Sequence, residues 1–120
     1  MSYPGEEMTF GRLRATNVHR CEEAFHRLEE WSPTDWACAF AGEAGEACNA
    51  VKKLRRLDGA DSAENTPERR AVLVSEILKE LADTVIYADL LASRLGFSLG
   101  QAVLEKFNEV SRRRGVDIFL

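Results

Sequence analysis

The chain has 120 residues, a hydrophobic fraction of 45% and a charged fraction of 30%. These values exclude an intrinsically disordered polypeptide and fit one domain, residues 1–120, with a single core. The net charge of −4, from 16 basic and 20 acidic residues, argues against a nucleic-acid polymer as partner. The N-terminus lacks an apolar signal core, and no uncharged stretch reaches the roughly 18 residues of a membrane span. The cysteines, Cys21, Cys38 and Cys48, form no C-x-x-C pair and fall in helical patterns, where free cysteine behaves as a small buried hydrophobe. A soluble, cytoplasmic protein without a disulfide framework or zinc site is expected.

Four helices are predicted. The first runs from about Thr9 to Trp31, with apolar positions at Phe10, Leu13, Cys21, Phe25 and Leu28. His19 and His26 on it read as helix-surface or interface residues, and Asn17 and Arg20 as solvated surface. The second helix, about Pro33–Leu57, opens on "SPTD", with Ser32 as N-cap, Pro33 at the first helical position and Asp35 in the first turn. The linker "DGADSAENT" (Asp58 to Thr66) follows, polar and glycine-containing. "TPER" repeats the Thr-cap, Pro-first arrangement and opens the third helix, about Pro67–Leu95. "SLGQ" reads as a capping box, Ser98 with Gln101, and opens the fourth, about Leu99–Arg114. Gly96 and Gly115 stand where C-terminal caps belong. No stretch alternates with period two, so strands are not expected. The fold class is all-α, a four-helix bundle-like protomer.

On the third helix Val74, Ile77, Leu81, Val85, Ala88, Leu91 and Leu95 recur at three- and four-residue steps, the expected buried face. Helices this long in so short a chain expose more apolar surface than one protomer covers. A homo-oligomer, dimer or tetramer, is therefore expected.

A second stripe on the same helix is mostly acidic: Glu76, Glu80, Asp83 and Tyr87. Residues three apart are offset by about 60°, so Glu80 and Asp83 project side by side. Glu43 and Glu46 have the same relation in "WACAFAGEAGEACNAVKKLRR" on the second helix. If the two helices pack antiparallel, four carboxylates converge, and an oxygen-only set of that charge suits magnesium better than a transition metal. Acidic pairs at this spacing are also common on solvated helices, and spacing alone is equally compatible with both readings. The basic runs "KKLRR" and "RRR" fall in last turns, where cations suit the helix dipole. Lys53 is the exception, seven residues past Glu46 on nearly the same face; Asn49 between them is either a cap-like or a ligand-facing amide.

"AGEAGEACNAVKKL" (Ala41 to Leu54), "KELADTVIYADLLASRLG" (Lys79 to Gly96) and "EKFNEVSRRRG" (Glu105 to Gly115), in that order, resemble the MazG-like nucleoside triphosphate pyrophosphohydrolases. The resemblance covers about Trp31 to Gly115. It implies that Glu43, Glu46, Glu80 and Asp83, matching the family's E-x-x-E and E-x-x-D, hold magnesium, with manganese able to substitute. It further implies cleavage of a nucleoside triphosphate at the α-phosphorus, giving the monophosphate and pyrophosphate. Tyr87 and Asn108 match positions used near sugar or base, and Trp36 is placed to stack on a base. Lys53, Lys106, Arg112 and Arg113 are the candidates for the phosphates. Asn17 or Arg20 could also reach a nucleotide from above. A pyrimidine deoxynucleotide is the favoured substrate. Two departures stand out: Gly42 occupies a position where many relatives carry a further glutamate, and the linker lengthens the spacing from Glu46 to Glu80. The rival reading is a non-catalytic helical oligomerisation or nucleotide-sensing protein.

Overall fold

The computed structural model describes residues 7–59 and 63–120. Among them the secondary structure is helical, without strands. The first helix, α1 (Phe10–Ala24), begins under Thr9, whose hydroxyl accepts from Arg12 N at 3.1 Å. It stops at Ala24 rather than continuing to Trp31. The Cys21 carbonyl accepts from both Phe25 N and His26 N at 3.0 Å, Cys21 Sγ donates to His26 O at 3.3 Å, and Glu22 Oε2 accepts from Leu28 N at 2.9 Å. These local partners compete with further helix. A short 3-10 turn, Leu28–Glu30, then brings Trp31 back beside the second helix.

That helix, α2 (Pro33–Asp58), has a complete capping box: Ser32 Oγ accepts from Asp35 N at 3.2 Å and Asp35 Oδ2 accepts from Ser32 N at 2.9 Å. Ser32 N and Ser32 Oγ, donating to Asp35 Oδ2 at 2.9 and 3.0 Å, hold the Asp35 carboxyl below its ordinary range. Helix α3 (Pro67–Arg94) starts under Thr66, whose hydroxyl accepts from Arg69 N at 3.1 Å. For α4 (Leu99–Arg114) only half of the expected box forms. Ser98 Oγ accepts from Gln101 N at 3.3 Å, but the Gln101 amide turns instead to Glu105 at 3.0 Å. Gly96 and Gly115 take positive φ of 85° and 69°. The residues after them donate back, Phe97 N to Ala92 O and Val116 N to Ser111 O, closing both helices as Schellman motifs. Residues 60–62 of the expected linker lie outside the described residues, as do residues 1–6, on which part of the N-terminal expectation rests.

Helices α2 and α3 form an antiparallel hairpin. Arg70 donates to Asp58 at the linker end, and Trp36 meets Tyr87 at the other, ring centroids 6.2 Å apart. On α2 the residues Trp36, Phe40, Glu43, Ala47, Ala50, Leu54 and Leu57 recur at steps of four and three, all buried or half-buried. On α3 Leu73, Ile77, Glu80, Thr84 and Tyr87 do the same. This is the a/d pattern of a packed helix seam, and it contains Glu43 and Glu80.

The α3 face expected to be buried is largely not the one the protomer buries. Val74, Leu81 and Val85 are 42%, 48% and 41% exposed, and Leu95 is exposed as well. The physical reason is rotational. Packing the Leu73–Tyr87 row on α2 turns the row one residue ahead by about 100°, out of the hairpin. Cys38 and Cys48 are likewise exposed; of the cysteines only Cys21 is the buried hydrophobe expected of all three.

Helix α4 packs against α1 and α3, and none of its Cα atoms comes within 8 Å of α2. Its start lies so close to α1 that a Cβ on Gly100 would sit 2.7 Å from Phe10 Cβ. The radius of gyration, 17.9 Å, exceeds the roughly 14 Å of a compact chain of this length.

Candidate functional site

The i,i+3 pairs on α2 and α3 meet across the hairpin. Carboxylate oxygens of Glu43, Glu46 and Glu80 all lie within 4.8 Å of one another. Around an octahedral magnesium, ligand oxygens stand about 3 Å apart when adjacent and about 4.2 Å apart when opposite. The three carboxylates are thus near enough to share one cation. Glu46 is exposed, whereas Glu43 and Glu80, as seam residues, are half-buried. One oxygen of each, Glu43 Oε2 and Glu80 Oε2, is buried without a hydrogen-bond partner. No basic side chain forms an ion pair with any of the three among the described residues. Buried acceptors left this way are costly unless something positive is supplied. An all-oxygen donor set with two orphaned oxygens fits a hard divalent cation.

The electrostatics agree. Desolvation pushes the Glu43 carboxyl above its ordinary range, and the charges of Glu46 and Asp83 add to this, partly offset by its contact with Glu80. Glu80 is raised by desolvation, then by its contact with Glu46 and by the charges of Glu46, Glu43 and Asp83. Asp83, one turn beyond Glu80, stands outside the 4.8 Å group but within electrostatic reach of it, and it lines the neighbouring cavity.

That cavity, of about 290 Å³, is near the lower end of small-molecule sites. It lies where α1, the bend after it, α2 and α3 converge. Its walls are mainly aromatic and apolar, with Trp31, Trp36, His26 and Tyr87 among them. Trp31 and Trp36 have ring centroids 4.6 Å apart, and His26 lies 4.5 Å from Trp31 and 5.5 Å from Trp36. Trp36 is only 2% exposed and donates its indole N–H to Leu28 O at 3.0 Å. The Tyr87 hydroxyl stays protonated more firmly than usual, because of burial and then the nearby Glu43 and Asp83 charges. Asp83 and Tyr87 line the cavity and lie within electrostatic reach of Glu43.

The structure therefore brings together Glu43, Glu46, Glu80, Asp83, Tyr87 and Trp36. Asn49 and Lys53 are exposed further along α2 and do not line the cavity. The α4 candidates have other neighbours within the protomer. Lys106 pairs with Glu109 at 3.2 Å. Asn108 brackets the Leu120 backbone, accepting from its N at 2.9 Å and donating to its O at 3.3 Å. Arg112 lies 5.7 Å from the Phe119 ring centroid, and Arg113 is exposed.

Three wall residues were read differently from sequence. His26 and Trp31 leave the helix and enter the aromatic cluster. Asn17 is not solvated surface but 3% exposed, donating from Nδ2 to Asp89 Oδ2 at 2.9 Å and to Ile86 O at 3.0 Å. A usable signal was Asp89, an acid in the apolar run "ADLLA" that needs a buried partner. The chain matches no protein-family model, no curated protein and no solved structure.

Proposed function

We propose that this chain is a magnesium-dependent nucleoside triphosphate pyrophosphohydrolase of the MazG-like type, releasing a monophosphate and pyrophosphate, with manganese an able substitute. The observation that carries the reading is the carboxylate cluster with two orphaned buried oxygens, beside an aromatic cavity of nucleobase size that Asp83 and Tyr87 line. The sequence resemblance around Glu43, Glu46, Glu80 and Asp83 points the same way. When bound, the metal supplies charge neutralisation for the triphosphate and acidifies water. Glu43, Glu46, Glu80 and Asp83 are the side chains that would hold it. The aromatic walls would fix the base, so that the α-phosphorus lies toward the carboxylates; positioning of this kind does most of the work in phosphoryl-type displacement. A pyrimidine deoxynucleotide suits the cavity size. The test is product analysis: nucleotide with magnesium should give pyrophosphate and monophosphate, and nucleotide with chelator should give neither. Orthophosphate as the product, or no hydrolysis across a nucleotide panel, would refute the reaction.

The proposal includes a homo-oligomer, dimer or tetramer, with α3 at the interface. Its support is the exposed row Val74, Leu78, Leu81 and Val85, together with the large radius of gyration. A second copy is the natural occupant, because the row continues the apolar surface of a hairpin that one protomer covers on one side only. Light scattering should give a dimer or tetramer for the native chain and a shift toward monomer for Leu81→Glu. A fully active native monomer would refute it. No helix among the described residues is long and apolar enough to cross a membrane. The free cysteines fit a reducing, cytoplasmic compartment.

A further inference from the structure

Helix α1 places Arg20 three residues after Asn17 and one before Cys21, and all three line the aromatic cavity. Asn17 and Cys21 are buried, each 3% exposed. Arg20 lies about 60° round the helix from Asn17, and it is exposed. An arginine at such a rim rests its stem on the wall and keeps its charged head in water. Among the described residues it is the one lysine or arginine that lines the cavity. Among them, too, its side chain forms neither a hydrogen bond nor an ion pair.

Asp83 lines the same cavity from α3 and lies within electrostatic reach of Glu43 and Glu80. Arg20 is not paired with it. The Tyr87 hydroxyl, raised by burial and then by the Glu43 and Asp83 charges, is also within reach of Arg20, whose charge works the other way. The acids of α2 and α3 and the one cation of α1 thus have Tyr87 as a common neighbour. Lys53, Lys106, Arg112 and Arg113, expected at the phosphates, do not line this cavity. A phosphoryl group is held best with positive charge on more than one side, and a guanidinium matches its oxygens two at a time. The carboxylates would hold the positive charge for one side, and Arg20 supplies it from α1.

We propose that Arg20 is a phosphate-binding residue of this site, its guanidinium taking the phosphate next to the sugar. This rests on the reading of the cavity as a nucleobase site. Arg20 is exposed and unpaired among the described residues, so Arg20→Gln should fold and melt as the native protein does. Calorimetry in magnesium would compare each canonical deoxynucleoside with its 5′-monophosphate, and the base that the native protein binds most tightly is carried forward. Arg20→Gln should weaken the monophosphate about 10-fold and leave the deoxynucleoside within about twofold. Arg20→Lys, which keeps the charge but not the planar fork, should fall between. Damage to the cavity itself would weaken both ligands alike. The proposal is overturned if Arg20→Gln binds the monophosphate as tightly as the native protein does, or if the deoxynucleoside weakens as much as the monophosphate. It is overturned equally if neither ligand binds the native protein. Pyrophosphate release by the native protein, measured separately, judges the reaction: a phosphate-specific loss in Arg20→Gln without pyrophosphate release would sink the hydrolase reading and leave the Arg20 assignment standing.

Discussion

Glu80→Gln, Asp83→Asn and Glu46→Gln should each lower pyrophosphate formation on the order of 100-fold or more, since each removes charge from a set whose cation contributes several kcal/mol. The same variants should fold, and Glu80→Gln should melt higher than the native protein in chelator. The Glu80 carboxyl is pressed from three sides by Glu46, Glu43 and Asp83, and its Oε2 is buried without a partner. Neutralising it relieves repulsion that nothing in the metal-free protein offsets. Glu76→Gln is the control. Glu76 is exposed one turn before Glu80, outside the group of three oxygens, and its loss should change the rate little. Because the carboxylates act as one unit, a double variant should be scarcely worse than the more damaging single one. Near-native rates in the three single variants would end the four-carboxylate reading.

Magnesium should raise the melting temperature, and the rise should grow between about pH 4.5 and neutrality. Glu43 and Glu80 have folded-state pKa values above the ordinary 4.5. A carboxyl raised in this way contributes stability in its protonated form, fully below the unfolded pKa and lost as pH climbs through the folded one. The metal-free protein is therefore increasingly penalised over that window, while a cation that binds the deprotonated cluster gains over it. The difference between melts with and without magnesium isolates this contribution, because other groups titrate in both. Asp35, for example, has a lowered pKa and acts in the opposite sense, its stability being lost only as pH falls below the ordinary 3.8. At a magnesium concentration 100 times the dissociation constant the gain is about 2.7 kcal/mol, on the order of 10 °C for a chain of this size. A melt unmoved by magnesium at neutral pH, with and without nucleotide, would count against the site. A shift that survives in Glu80→Gln would place the cation elsewhere.

The sequence by itself determined the helices and the acids. Ser32, Thr66 and Ser98 cap where they were read to cap, and Gly96 and Gly115 close helices, because each device works through hydrogen bonds to residues only a few positions away. The spacing of Glu43 with Glu46, and of Glu80 with Asp83, fixed which carboxylates share a helical face; the hairpin then had only to bring the faces together. What the tertiary structure decided was rotation and burial. Two adjoining rows of α3 could have packed on α2, and apolarity pointed to the wrong one. The row carrying Glu80 and Tyr87 became the seam, and Val74, Leu81 and Val85 remained exposed. Nothing local distinguishes the rows, because periodicity gives the angle between faces and not the position of the neighbour. Asn17 shows the same limit: as a polar residue on a helix it reads as surface, and only Asp89, 72 positions away, makes it interior. The placing of Trp31 after the break depends similarly on its meeting Trp36 and His26. The location of Lys106, Asn108, Arg112 and Arg113 away from α2 follows from where α4 docks, which helical periodicity does not encode.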